Sequence, residues 1–467
     1  MPADTAPADL RPRRWTALAL ICAAQFMLIL DVTVVNVALP AVAADLDLGR
    51  TALTWVVAAY TLCFGGLMLL GGRLADAVGA RRTLLTGLAL FTAASLACGL
   101  APNAEILLAG RAAQGIGAAL LSPAALALVT TTFHGPERAR ALGVWAAIGG
   151  TGSAVGVLLG GALTAGPGWP WIFHVNVPTG LALLAILPRL LPVDTRTGRT
   201  GHLDVPGALL VTAATGALVH GLVRAGDDGW TSPVTLLSLL AAIALYGTFA
   251  ATERRTRTPL MDLRMLTRRP VVAGSLLMLV ATALLIAFFF LGSLRLQRVD
   301  GLDAFRTGLL FLPVALTTAI GAHLGSRLVT TAGPRACAAG GMALAAAGCL
   351  PLALLTPTAD PWTTLLPSLA TAALGLGAVF VTATTTALGL IPAHEAGLAS
   401  GIVNTFHELG GTLGVALAST LALGASTTGY TTAFTLCALT AAGTALAAPL
   451  LTPRGRPHHP SGAHGLH

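Results

Sequence analysis

A chain of 467 residues that is 55% hydrophobic and only 10% charged cannot cover a soluble core of its size with polar surface, and a mean hydropathy of +0.80 excludes a water-soluble globule. The formal net charge is +8, and all 27 basic residues are arginine. In a soluble protein that surplus points to nucleic acid; in a membrane protein its placement reports orientation instead.

Apolar runs of spanning length fall near 15–39, 52–71, 83–101, 106–130, 142–164 and 175–191, then 205–224 and 233–251, and finally 271–294, 306–328, 336–356, 362–390, 396–421 and 429–451. The first follows Arg11, Arg13 and Arg14, is too long for a signal peptide and lacks a small-residue cleavage site, so it reads as a retained span. Breaks carry turn chemistry, as at Gly71 and Gly72, Pro102 and Asn103, Gly166 to Gly168, Asp227 to Gly229, and Pro357. The long run at 362–390 has kink candidates at Gly375 and Gly377. Fourteen spans with the N-terminus inside put only Arg50, Arg224, Arg295, Arg298 and Arg306 in outer segments and Arg111 within a span. The others fall in inner segments, an excess of roughly four to one that an error of one helix would destroy. Both termini are therefore expected in the cytoplasm, with no need of nucleic acid as a partner.

The segment 252–269 reads as a short helix on the inner membrane surface, with Thr258 as N-cap, Pro259 as first residue, and Leu260, Leu263 and Leu266 opposed to Arg264 and Arg268. The tail 453–467 has no apolar pattern and reads as disordered, its His458 and His459 being a weak metal candidate. The six cysteines (Cys22, Cys63, Cys98, Cys337, Cys349 and Cys437) show no metal or redox spacing and read as small apolar side chains.

An internal repeat organises the runs. Gly71, Arg73, Leu74, Gly79 and Arg81 recur at one fixed offset as Gly325, Arg327, Leu328, Gly333 and Arg335, each set following the second run of a group of six. The expected fold is an all-α polytopic membrane protein of two homologous six-helix halves, 1–192 and 259–452, with two inserted helices in 193–258. In the first copy, Gly72 and Gly79 permit tight turns, and Asp76 can cap helix N-termini or pair with arginine. Arg81 and Arg82 meet the inner surface, where a charge latch and plain topogenic charge are both open readings.

Asp31 is the residue that composition explains least. A carboxylate inside a span costs about 2.5–3.5 kcal/mol even on a lenient insertion scale. The alternative, a carboxylate at the outer headgroups, is disfavoured because the run continues to Pro40, about 13 Å further along a helix. Arg111 lies about 8 Å from the outer end of its own span, so the two depths allow a pair. A structural brace is the other reading of Arg111. Glu408 falls near the midplane of the thirteenth run, with His407 beside it, Asn404 one turn before, and Gly410, Gly411 and Gly414 admitting a neighbouring helix. A carboxylate there can accept a proton, anchor a cationic substrate, or serve as a hydrogen-bonded structural group. Asn36 joins Asn404 and His407 as a candidate for the substrate cavity; His323 and Thr382 to Thr386 are weaker.

These residues resemble the fourteen-helix drug:proton antiporters of the major facilitator superfamily along essentially the whole chain. Leu30 to Pro40 is similar to that group's first-helix signature. The loop Gly72, Leu74, Asp76, Gly79 and Arg81 resembles the superfamily's loop motif, with Ala77 and Ala80 in place of basic residues. Leu107, Arg111, Gln114, Gly115, Gly117 and Ala119 match the fourth-helix motif, whose arginine the resemblance implicates in proton transfer. Trp169 to Pro178, including His174 and Asn176, is similar to the segment before the sixth helix, with Pro170 where arginine is usual. In the fifth helix Gly156, Gly160 and Gly161 keep the antiporter glycines, and Val157 stands where proline is usual.

No nucleotide-binding loop with lysine exists, no loop is large enough for a nucleotide domain, and no enzyme signature or cofactor site stands out, so transport is expected to draw on an ion gradient. The resemblance implies a monomeric exporter of a small molecule (a drug, antibiotic or metabolite) across the cytoplasmic membrane in exchange for protons. A proton-linked uptake carrier is the nearest alternative, and a membrane receptor or integral enzyme without net transport is a more distant one.

Overall fold

Lipid offers backbone N–H and C=O groups no hydrogen-bond partner, so a chain crossing it must satisfy them within helices. The structure, a computed structural model, describes residues 11–133, 135–191, 204–256, 259–260, 264–354, 360–389, 396–422 and 427–452, and among them there is no strand. Each of the fourteen apolar runs is a helix: α1 Arg11–Asp45, α2 Arg50–Val78, α3 Ala80–Gly99, α4 Ala104–Thr132, α5 Gly135–Ala165, α6 Asn176–Leu190, α7 Val205–Asp228 and α8 Pro233–Arg255. The second group is α9 Arg269–Arg298, α10 Ala304–Thr331, α11 Pro334–Ala353, α12 Leu366–Leu388, α13 Ala396–Leu421 and α14 Thr427–Leu451. Twelve described spans are long and apolar enough to cross a membrane; α5, of 31 residues, and α13, of 26, have the length as well.

Packing repeats between the halves, helix for helix. In the first, α2 and α3 lie on α4, α1 on α5 and α3 on α6; in the second, α10 and α11 lie on α12, α9 on α13 and α11 on α14. The repeated loop repeats in backbone too. Gly79 (φ 110°) and Gly333 (φ 86°) each turn the chain from one helix into the next in a left-handed conformation that a Cβ would strain. Gly71 and Gly325 allow close approach: a Cβ would collide with the Ala119 carbonyl on α4 in one case and with Ala378 on α12 in the other. Gly72, in contrast, makes no turn. Helix α2 runs through it to Val78, and a Cβ there would meet only Pro123 at 3.7 Å.

The halves meet along three contacts, α1 with α9, α2 with α13 and α5 with α10. Exchange of the halves maps the first onto itself and swaps the other two. The polar contacts across these seams gather toward the end of the bundle opposite the termini, here the far end. There Arg50 Nη1 donates to the Ser419 carbonyl at 2.7 Å, Thr54 Oγ1 to Ser419 Oγ at 2.5 Å, and Gln297 Nε2 to the Val37 carbonyl at 2.8 Å. Deeper in, Thr412 Oγ1 donates to Thr61 Oγ1 at 2.8 Å. Helix α4 packs on α1, α2, α3 and α5, all of its own half. The inserted α7 lies on α2 and α13 together, and α8 packs on α7. Arg50 bonds Asp227 of α7 at 2.5 Å and the Val223 carbonyl at 3.2 Å, while Thr420 Oγ1 bonds the Leu222 carbonyl at 2.6 Å.

Three local expectations change. The run at 362–390 is not kinked at Gly375 or Gly377; a π-helical turn at Pro361–Leu365 precedes a continuous α12, and the two glycines bring the chain against the carbonyls of Gly341 and Thr318. In place of a surface helix after Pro259, the described residues show a 3-10 turn, Met265–Thr267, and Leu260 is buried in protein instead of lying on a membrane face. Thr258, Leu263 and the tail 453–467 with His458 and His459 lie outside the described residues. Arg295, placed by hydropathy in an outer loop, ends α9 inside the protein, 1% exposed, with its Nε bonded to Asp300 at 3.2 Å. A Thr54→Cys, Ser419→Cys pair should cross-link under mild oxidation, read as altered gel mobility reversed by reductant. A pair that stays reduced would contradict the α2–α13 seam.

Candidate functional site

Long, nearly unbroken apolar sequence makes α1 and α4 helices that cross the first half, and burial then forces their two charges together. Asp31 and Arg111 are each 1% exposed, and Asp31 Oδ2 accepts from Arg111 Nη1 at 2.5 Å. The remaining valences are filled by neighbours from the same half. Arg111 Nε donates to the Val56 carbonyl at 3.0 Å and Nη1 to Gln114 Oε1 at 2.9 Å. Asp31 Oδ1 accepts from Gln114 Nε2 at 3.2 Å and from Asn176 Nδ2 at 3.4 Å. Gln114 Nε2 also donates to Ser95 Oγ at 2.8 Å. The guanidinium carbon stands 4.4 Å from the centre of the Tyr60 ring and 5.8 Å from that of Phe173. Five helices, α1 to α4 and α6, therefore meet around one carboxylate–guanidinium pair, whose hydrogen bonds are of the kind that makes a buried charge tolerable. Gly115, one residue beyond Gln114, permits this convergence, because a Cβ there would strike the Tyr60 carbonyl and Cys63 of α2.

Glu408 stands apart, on the other side of α2. It is half-buried on α13, and its Cβ faces Gly65, where an added methyl would come within 2.5 Å. Thr412, one turn on, bonds both Thr61 across the seam and the Glu408 carbonyl. Glu408 and Asp31 both lie within electrostatic reach of Tyr60. His407 points elsewhere, into its own half: its Nδ1 is 2.9 Å from Thr282 Oγ1 and 3.4 Å from Met278 Sδ, and its ring lies 5.8 Å from that of Phe380. Adjacent residues on a helix diverge by about 100°, so Glu408 and His407 serve different surfaces. Asn404 is half-buried with no described side-chain partner.

Asn36, expected to line the cavity, is instead 1% exposed. Its Nδ2 donates to the Val32 carbonyl of its own helix at 2.7 Å, and its Oδ1 is buried without a partner. The cause is packing: α5 presses on Val34 through Gly160, and α9 bonds Val37 through Gln297. The α5 glycines divide the work. Gly156 and Gly160 face Thr33 and Val34 of α1, whereas Gly161 meets Ala304 and Phe305 of α10. Val157 also lies on the α10 face, its carbonyl 2.7 Å from where a Gly308 Cβ would sit.

Within the loop motif, Arg81 Nη2 bonds the Pro188 carbonyl at the end of α6 at 2.6 Å, and Arg73 Nη2 bonds the Pro259 carbonyl at 2.9 Å. Asp76 is exposed and engages no described residue by hydrogen bond or ion pair. Sequence reading gave no role to Tyr60, to Arg50 with Asp227, or to Arg295. Tyr60 carried one signal, being one of 3 tyrosines in the chain and lying within an apolar run.

If the pair is held as described, Arg111→Leu should destabilise the folded protein by about 3–5 kcal/mol, because it strands a buried carboxylate. Adding Asp31→Asn should restore much of that loss, measured as thermal unfolding in detergent. Equal losses in the single and double variants would show that the two charges are uncoupled.

A family model of the Major Facilitator Superfamily matches residues 21–415. The puromycin resistance protein of Streptomyces alboniger is 43% identical over 421 residues, covering 89% of this chain and 83% of that one. The lincomycin resistance protein of Streptomyces lincolnensis is 39% identical, covering 86% and 83%. The cephamycin export protein of Amycolatopsis lactamdurans is also 39% identical, covering 89% and 86%. Among solved structures, a peptide transporter aligns with a TM-score of 0.66 at 17% identity over 93% of this chain and 94% of its own. A bacterial homologue of the lysosomal transporter Spinster, inward-facing and unoccupied, aligns at 0.62 and 17% over 94% and 96%. At those identities the two structures establish likeness of fold alone.

Proposed function

The chain belongs to the Major Facilitator Superfamily, and from that premise we propose that it is a secondary active transporter exporting an antibiotic-like small molecule across the cytoplasmic membrane in exchange for protons. The names of the relatives, for puromycin and lincomycin resistance and cephamycin export, support export of a natural product. The observation that supports proton coupling is the placement of two carboxylates on either side of α2: buried Asp31 held by Arg111 inside the first half, and half-buried Glu408 on the seam with the second.

In this reading both termini are cytoplasmic, as the arginine distribution favours, and the far end is the outer face. The contacts from Arg50, Thr54 and Gln297 then close the outer gate. The substrate reaches Glu408 from the inner side. A carboxylate can be neutralised by a proton or by a substrate cation but not by both, so each displaces the other, which is exchange. Parting of α2 from α13 opens the outer gate and carries the site outward. Arg111 keeps Asp31 compensated whenever Asp31 is unprotonated. One copy of the chain contains the seam and both acid sites, which suits a monomer, and no step draws on a cofactor.

Orientation is tested by cysteine accessibility. Asp228→Cys should react with an impermeant thiol reagent in intact cells and Arg254→Cys should not; the opposite pattern would invert the topology. Coupling is tested in inverted vesicles with an imposed pH gradient and puromycin, an amine, as probe. Glu408→Gln should leave expression intact and reduce gradient-driven accumulation at least ten-fold. Accumulation at the parent rate would make Glu408 structural.

A further inference from the structure

The inserted α7 lies on α2 and α13 together, so when the halves part it must leave one of them, and its bonds to the two are unequal. From α2, Arg50 brings Nε to 3.1 Å and Nη2 to 2.5 Å from Asp227 Oδ1, and Nη2 also reaches the Val223 carbonyl at 3.2 Å. Thr51 Oγ1 donates to Asp227 Oδ2. Both oxygens of the carboxylate are thus engaged from α2, and no other described residue bonds them. From α13, α7 receives one neutral hydrogen bond, Thr420 Oγ1 to the Leu222 carbonyl at 2.6 Å. Charge-assisted bonds are roughly twice as strong as neutral ones. The contacts of α13 are also built to come apart, because each hydroxyl that donates there has a second acceptor in its own helix. Thr54 has the Arg50 carbonyl at 3.0 Å, Thr412 that of Glu408 at 3.1 Å, and Thr420 that of Ala416 at 2.7 Å. Parting from α13 leaves none of the three unpaired, whereas parting from α2 would strip Asp227 of every described partner.

The same helix holds the insert elsewhere along its length. At the end that carries the termini, Arg73 Nη2 of α2 bonds the Pro259 carbonyl, just after α8, at 2.9 Å. About 35 Å of helix separates Arg73 from Arg50. Between them Gly66 admits Thr212 of α7, whose Oγ1 lies 2.4 Å from where a Cβ would stand. Near the termini the insert meets the second half through apolar packing, Val211 and Phe249 against Val271, Ala399 and Ile402. Such contacts are non-directional and tolerate sliding. We propose that α7 and α8 travel with the first half, and that Arg50 is the positioning residue that keeps them there. Opening of the far end then separates α13 from α2 and α7 together, and Arg50 releases the Ser419 carbonyl while it retains Asp227. Thr420 and Leu222 thereby belong to the gate. The proposal rests on the reading that the far end opens by parting α2 from α13.

The test is a set of three electron-spin distances at the far end, measured on the full chain in lipid nanodiscs without substrate. Genetically encoded labels, which leave the native cysteines in place, replace Gly49 before α2, Asp228 at the end of α7 and Ala422 after α13. Thr54→Trp, or Ser419→Trp should the first not fold, wedges the α2–α13 seam and populates the parted state. There the Gly49–Ala422 distance should lengthen relative to the parent, the Asp228–Ala422 distance should lengthen with it, and the Gly49–Asp228 distance should keep the parent's single value. Adding Arg50→Gln should broaden the Gly49–Asp228 distance in the parted state, and exchanging the charges, Arg50→Asp with Asp227→Arg, should restore a single value. A Gly49–Asp228 distance that lengthens while Asp228–Ala422 stays fixed would overturn the proposal, since the insert would then follow the second half. So would a Gly49–Asp228 distance indifferent to Arg50→Gln, or a far end that neither wedge can open. The distances need no transported compound, so their failure is distinct from failure of the export reading, which the vesicle measurement alone decides.

Discussion

A charge in an apolar medium must be compensated where it stands, and the pairing of Asp31 with Arg111 is the constraint on which the first half depends. Both are buried, so their polar atoms call for partners, which are the Val56 carbonyl of α2, Gln114 of α4 and Asn176 of α6, with Ser95 of α3 holding Gln114 in turn. Helices in lipid have little hydrophobic reason to associate. What holds these five in register is the geometry of one hydrogen-bonded pair, together with glycines that let their backbones approach. The second half has no equivalent at its centre among the described residues. Its buried arginine, Arg295, sits at the far end of α9 with Asp300, and burial raises the Asp300 carboxyl above its ordinary range despite the neighbouring Arg295. The two halves therefore share packing while differing in where their buried charges lie.

Helix α2 is the element on which the candidate site and the gate both depend. One face supports the ion pair through the Val56 carbonyl and the Tyr60 ring, and the other carries the seam from Arg50 through Thr54 and Thr61 to Gly65. Thr61 in the seam and Tyr60 beneath Arg111 are neighbours on this helix, so α2 alone separates the seam from the ion pair. Relations of this kind are short-range and mechanical, running through contacts that exist in one arrangement and not in another.

Much of this was legible in the sequence, for physical reasons that differ residue by residue. Asp31 and Arg111 stood out because ionised groups are rare inside spans, and helical rise placed them at depths close enough to allow a pair. The repeated loop identified the halves, because glycine is the residue that tolerates the backbone of Gly79 and Gly333. Direction around the helix axis was less legible. Where nearly every side chain is apolar, no polar face reveals which side looks inward, so Asn36 was placed in a cavity although α5 and α9 pack over it, and His407 was placed in the same cavity although it turns toward Thr282 of its own half. Arg295 was misplaced because hydropathy ends a span at its first charge and cannot see Asp300 beside it. Gln114 and Asn176 were visible within motifs, but only the folded chain shows that both donate to Asp31.

The inserted helices break the symmetry that the halves otherwise keep. Two equivalent seams, α2 with α13 and α5 with α10, line opposite flanks of the molecule, and α7 with α8 covers only the first. On α8 the side chains of Leu237, Leu240 and Ile243 are more than half exposed, as befits a surface bathed by acyl chains. On the uncovered flank Phe305, Leu309 and Leu316 are exposed too, each by less than half. Seen from the surrounding acyl chains, the α2–α13 seam therefore lies behind two further helices, whereas the α5–α10 seam lies behind neither of them.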